Sequence, residues 1–260
     1  LSDDDLILNI DNPLVDYRDL YNNGIFGIKP VTKLWNEKIG TYKTNDFSIT
    51  DETAIQRMHT YYTKANGNNT TLFSFFNSNI HNDLRKLSLE HPTRGGHADW
   101  AFVCGLVSSG KILLDTSKLL LYKNTNWFGS QEHISKQVKN LYKKSGLSER
   151  GSLFEDLLSA IDSFIFVARK TSPVDRKEII DAGKYIFKSN VISFCKKYNQ
   201  EPYKFTEEEG KVIQKLQNTE QFEISLDLSL KIIELLKSDL VPKYLNFYKK
   251  SLETEWGTIE

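Results

Sequence analysis

Apolar residues recur at three- and four-residue intervals along most of this chain, a spacing that favours amphipathic helices packed against one another. The clearest case is SLFEDLLSAIDSFIFVARK, where Leu153, Leu157, Ile161, Phe164 and Ile165 share one side. A partner follows Ser172-Pro173 and runs past Ile179, Ile186 and Phe194, and these two segments (153–170 and 173–198) are expected to organise the second half. Thr206 with Glu209 forms a capping-box pattern, and Ser130 precedes QEHISKQVKNLYKKSG, whose lysines crowd the last turns as the helix dipole prefers. Further upstream, Thr50 or Asp51 is placed to cap a helix carrying Ala54, Ile55, Met58, Tyr61 and Tyr62, ended by Asn66-Gly67.

The same reading gives a short helix from Asn12-Pro13 to Gly24 and another opened by Pro30 and closed by Gly40. KILLDTSKLLLY fits a helix or a strand and is assigned to a helix. Long period-two runs are missing, and no Asn-Gly turn joins alternating segments. The expected fold class is therefore all-α, an irregular multi-helix bundle of about ten helices. The polar stretch KKSGLSERGS at 143–152 suggests an N-terminal helical region (1–146) and a C-terminal helical region (147–260), which could also pack as one continuous domain.

Charge and cysteine usage narrow the functions. The 34 basic residues balance 34 acidic ones, so a general basic field for nucleic acid is excluded and only a local patch remains open. One such patch is Lys136, Lys139, Lys143 and Lys144; Lys196-Lys197 and Lys249-Lys250 are smaller ones. Cys104 and Cys195 each lie in an apolar segment and imply buried thiols rather than a disulfide framework, which points to an intracellular, cytoplasmic protein. Tripeptides starting at Asn68 and Asn69 match the glycosylation pattern but sit in an Asn-rich loop. No run approaches the roughly 18 apolar residues that span a membrane.

The densest collection of chemically versatile residues is HPTRGGHADW at 91–100. His91, His97 and Asp99 are the candidate proton-transfer groups, while Arg94 and Trp100 are candidate ligand contacts. Histidine with carboxylate also suits a metal, yet no pair has helical spacing and Arg94 would repel a cation, so neither metal nor cofactor is expected. The structural alternative is a helix–turn–helix joint in which Pro92, Gly95 and Gly96 break one helix and Ala98 onward begins another, with His97 or Asp99 near its N-terminus. Cys104 beside His97 makes a poor nucleophile, because its apolar surroundings disfavour the thiolate. Nucleotide-binding glycine loops and the Gly-x-Ser-x-Gly elbow are missing.

Two family patterns bear on function. Arg85-Lys86-Leu87-Ser88-Leu89-Glu90-His91 resembles the Arg-spacer-His element of the all-α HEPN ribonucleases, which implies His91 for proton transfer and Arg85 for the phosphate. From about 153 to 250, EDLLSAIDSFIFVARK, AGKYIFKSNVISF and LKIIELLKSDLVPKYLNFYKKS resemble the latter part of a regulator-of-G-protein-signalling domain. That family's acidic-Glu-Asn-Leu-x-Phe-Trp signature is missing, so no contact residue transfers. Without a strong catalytic constellation, and with 12% aromatic residues, the chain reads as a mainly non-enzymatic helical protein that binds a protein partner or small ligand.

Overall fold

The structure, a computed structural model, describes residues 6–9, 24–65, 69–93, 98–123 and 127–253. Among these are five strands and nine α-helices. In chain order they are β1 (Leu6–Asn9), β2 (Ile25–Asn36), β3 (Gly40–Asn45), α1 (Ala54–Ala65), β4 (Phe75–Phe76), α2 (Ser78–Glu90), α3 (Asp99–Ser109), β5 (Lys111–Lys123), α4 (Gln131–Lys144), α5 (Glu155–Val167), α6 (Arg176–Gln200), α7 (Glu207–Gln217), α8 (Phe222–Leu236) and α9 (Val241–Leu252). The chain divides into unit 1, residues 1–82 and 106–137, and unit 2, residues 83–105 and 138–260.

Unit 1 overturns the all-α expectation, because it is built on a five-stranded mixed sheet ordered β1-β5-β2-β3, with β4 also paired to β2. The two long strands, β2 and β5, run parallel, and the remaining pairings are antiparallel. The segment assigned to a helix opened by Pro30 is β2, and KILLDTSKLLLY is β5. Proline is tolerated inside β2 because the β2–β5 register shifts between Pro30 and Val31, where a ladder hydrogen bond is not required. On β5 the shift jumps from Asp115 to Leu119, and the Asp115 carboxylate accepts the Ser117 amide at 2.8 Å and its hydroxyl at 2.6 Å. That Asx turn hides the strand by breaking its alternation.

The β2–β3 hairpin turns through Gly40, whose φ of +71° an L side chain rarely adopts. Helix α1 starts two or three residues later than expected, with Thr53 as its cap. Thr53 Oγ1 accepts the Gln56 amide at 3.3 Å and Gln56 Oε1 accepts the Thr53 amide at 3.3 Å, a reciprocal capping box. Buried Arg57 on α1 donates to the carbonyls of Val107 (3.0 Å) and Ser108 (2.7 Å), which satisfies backbone acceptors in the last turn of α3. The expected helix of 12–24 and the Asn66-Gly67 stop fall mainly or wholly outside the described residues; Gly24 itself lies in a turn with φ +70°.

In unit 2 the apolar helix α5 is buried from Leu157 to Ala168 apart from a half-buried Ser159, and α6 packs along it. Gly183 makes the close approach workable: a Cβ there would meet Phe164 at 2.9 Å and Ala168 at 3.2 Å. Phe164 in turn packs against Phe187, Phe222 and Tyr248. Asp175 caps α6, three residues beyond the Ser172-Pro173 signal, and the Thr206–Glu209 capping box opens α7. Arg150 donates to both Glu209 carboxylate oxygens, at 2.9 and 2.7 Å, tying the segment before α5 to the start of α7.

Candidate functional site

Helix α6 runs unbroken for 25 residues, and its two sides face different surroundings. Ile179, Ala182, Gly183, Ile186, Phe187, Val191 and Phe194 are buried. The opposite stripe carries Asp181, Lys184, Tyr185, Lys188, Ile192, Lys196 and Asn199, again at three- and four-residue steps. Two of these are large and uncovered: Tyr185 is 37% exposed and Ile192 is 45% exposed.

That stripe forms one wall of a groove of about 680 Å³, open to solvent along one side. Its floor and far wall come from Phe187, Val191, Leu216, Phe222 and Ser225, with Thr219 and Glu220 from the α7–α8 connection. From Asp181 to Asn199 the wall spans 18 residue steps, roughly 27 Å of helix. Gln217 holds the α7 end in place, donating to the Cys195 carbonyl at 3.3 Å and to Asn199 Oδ1 at 2.9 Å. Asp175 at the N-cap and the Gly183 approach to α5 set the helix that carries the wall.

Burial pushes the Cys195 thiol up to about 11, against a smaller lowering by Gln217, so it stays protonated and unreactive near neutral pH. Lys184 lies 3.7 Å from Glu223 and 5.0 Å from the Phe222 ring centroid, and Asp181 lies 3.5 Å from Lys177. Among the described residues no carboxylate stands within ion-pair distance of Lys188 or Lys196.

The residues singled out in the sequence lie elsewhere. Arg85 is exposed on α2, whereas the His91 side chain, just past the end of that helix, is 1% exposed, so the two do not share an open cleft. His91 Nε2 stands 3.0 Å from Asp162 Oδ1 of α5, and its Nδ1 accepts the Thr93 amide at 3.3 Å. The ring is walled by Phe166, Tyr244 and Phe247. Burial, and then the charge of Asp162, hold the Tyr244 phenol well above its ordinary range. This is a closed polar knot in the core.

Asp99 is the first residue of α3 and its carboxylate accepts the Trp100 amide at 2.8 Å; Trp100 is half-buried. Arg94 and His97 fall outside the described residues. No group of three or more His, Cys, Asp or Glu that could hold a metal occurs among the described residues. Cys104 and Cys195 are buried, and neither forms a disulfide among the described residues. Lys136, Lys139, Lys143 and Lys144 are exposed along α4. No helix is long and apolar enough to cross a membrane, among the described residues.

Sequence reasoning missed Asp162 and the groove. Asp162 carries a usable signal, a lone carboxylate inside the apolar run LLSAIDSFIF, which a buried helix keeps only when the charge is matched. The groove residues carry none singly, since Tyr185, Lys188, Ile192 and Lys196 each read as ordinary surface. Comparison with protein-family models, with curated proteins and with solved structures returns no match.

Proposed function

We propose that the protein is a binding protein and that the α6 groove of unit 2 is its binding site. One observation carries this reading: Tyr185 and Ile192 stand uncovered in a single elongated concavity whose floor is apolar and whose wall carries lysines. Isolated apolar side chains on a surface are ordinary, whereas a concave apolar strip with a few convergent polar groups is the usual form of a recognition site. Covering the exposed part of Ile192 alone contributes about 1 kcal/mol, and several such contacts along the groove reach useful affinity.

The test uses anilinonaphthalene sulfonate, whose rings and single anionic group match the floor and the lysines. Binding of one dye molecule per chain with enhanced fluorescence, lost in Ile192→Glu while the circular dichroism melt is retained, supports the reading. Equal binding by the wild type and the Ile192→Glu variant removes it.

A further inference from the structure

We infer that the occupant of the α6 groove is an amphipathic helix of a partner protein bearing acidic residues about two turns apart, an inference that rests on the binding role proposed above. Three observations converge. First, the groove is long and straight, because its wall is one helix face over roughly 27 Å, matching the length of a docked helix rather than of a compact metabolite. Second, it is open along one side. A helix tolerates this because its outer face is polar and its backbone is hydrogen-bonded internally. An acyl chain laid in the same groove would keep one flank in water, where enclosed sites bury most of their ligand.

Third, the charge pattern is specific. Lys188 and Lys196 flank Ile192 on the same face of α6, eight residues apart, or about 12 Å. The other charged groups lining the groove are Asp181, Lys184 and Glu220; Lys184 lies beside Glu223 and Asp181 beside Lys177, while Glu220 faces from the α7–α8 connection. The α6 wall therefore offers two ammonium groups for a partner's carboxylates at i and i+7 or i+8. Apolar anchors between them meet Tyr185, Ile192 and Leu216. Glu220 on the opposite rim favours a neutral or basic residue there, which fixes the orientation of the docked helix.

A display library of helical peptides tests this, with apolar residues at i, i+4, i+7 and i+11 and flanking positions drawn from Asp, Glu, Lys, Arg and Gln. The full chain is the bait. Enriched peptides should carry Asp or Glu about two turns apart on one flank. They should bind the wild type and weaken about tenfold or more against the Lys188→Glu/Lys196→Glu variant, with affinity falling as salt is raised. Enrichment of neutral or basic flanks, or equal binding to the charge-reversed variant, overturns the inference. So does displacement of the dye by oleate at one molecule per chain with no peptide enriched. In each of these outcomes dye binding that depends on Ile192 still stands for the binding site itself. Loss of dye binding as well removes both.

Discussion

His91 Nε2 and Asp162 Oδ1 stand 3.0 Å apart inside unit 2, each side chain 1% exposed. Nδ1 is placed to accept the Thr93 amide at 3.3 Å, which leaves Nε2 facing the carboxylate. The charge of the same aspartate helps hold the Tyr244 phenol above its ordinary range, so Asp162 of α5 faces both His91 and Tyr244 of α9. Removing one partner of such a pair leaves an uncompensated polar group in the core. Asp162→Ala should cost about 3 kcal/mol of stability, and Asp162→Asn less, in denaturant unfolding followed by circular dichroism. A loss below about 0.5 kcal/mol for the alanine variant contradicts this role.

Arg169 is another buried charged side chain of unit 2. Its Nε donates to Asp83 at 2.8 Å and its Nη1 to the Phe166 carbonyl at 2.9 Å. Burial draws its pKa down and Asp83 draws it back up. The fork is used in two directions, so Arg169→Lys should fail to restore what Arg169→Met loses, both falling by roughly 3 kcal/mol in chemical denaturation. Full rescue by lysine shows that charge alone, without the planar geometry, is what the site needs.

Lys29 of β2 is fully buried, with its Nζ 3.6 Å from the Phe47 ring centroid. Burial lowers its pKa to about 8, against a smaller raising effect of Asp46. A lysine whose folded pKa lies below its unfolded value disfavours the charged form, so folding is penalised below about pH 8 and the penalty fades as pH rises towards 10.5. The penalty near neutral pH is about 3 kcal/mol before the ring contact offsets part of it. Lys29→Met should therefore be more stable than the wild type at pH 7, with the gap closing between pH 8 and 10.5. Melting temperatures across that range decide it; a gap that does not change with pH contradicts the burial argument.

Gly183 sits where α6 meets α5. Alanine ordinarily gains up to about 1 kcal/mol over glycine inside a helix. Here the added Cβ would meet Phe164 at 2.9 Å, and overpacking costs about 1–3 kcal/mol. Gly183→Ala should lower the melting temperature, and because it shifts the helix that carries Tyr185 and Ile192 it should weaken dye binding as well. A higher melting temperature with unchanged binding indicates that Phe164 yields freely.

Helices α4, α5 and α7 were legible because each level of the sequence agreed. Thr206 and Glu209 announced α7, the Leu153–Ile165 spacing announced α5, and Ser130 took the cap of α4, accepting the His133 amide at 3.2 Å. The sheet of unit 1 was hidden for a local reason. Its two longest strands each carry an interruption, Pro30 in β2 and Asp115-Thr116-Ser117 in β5, and both interruptions fall at the same break in register. Each strand alone shows no sustained alternation, and only their pairing makes the break understandable. The groove was illegible for a different reason. Its wall, Tyr185 to Lys196, becomes part of a groove only when Leu216 and Phe222 are brought opposite it by the turn after α7, a relationship between segments that no single spacing encodes.

The most direct measurement is a methyl-resolved NMR spectrum of the full chain, labelled at isoleucine and titrated with anilinonaphthalene sulfonate, with the Ile192 signal assigned from an Ile192→Val variant. If the α6 groove is the binding site, the Ile192 methyl shifts progressively and saturates at one dye per chain, while core methyls such as Ile161 hold their positions. An unmoved Ile192 signal, with the dye perturbing isoleucines outside the groove, contradicts the assignment of this face as the binding site.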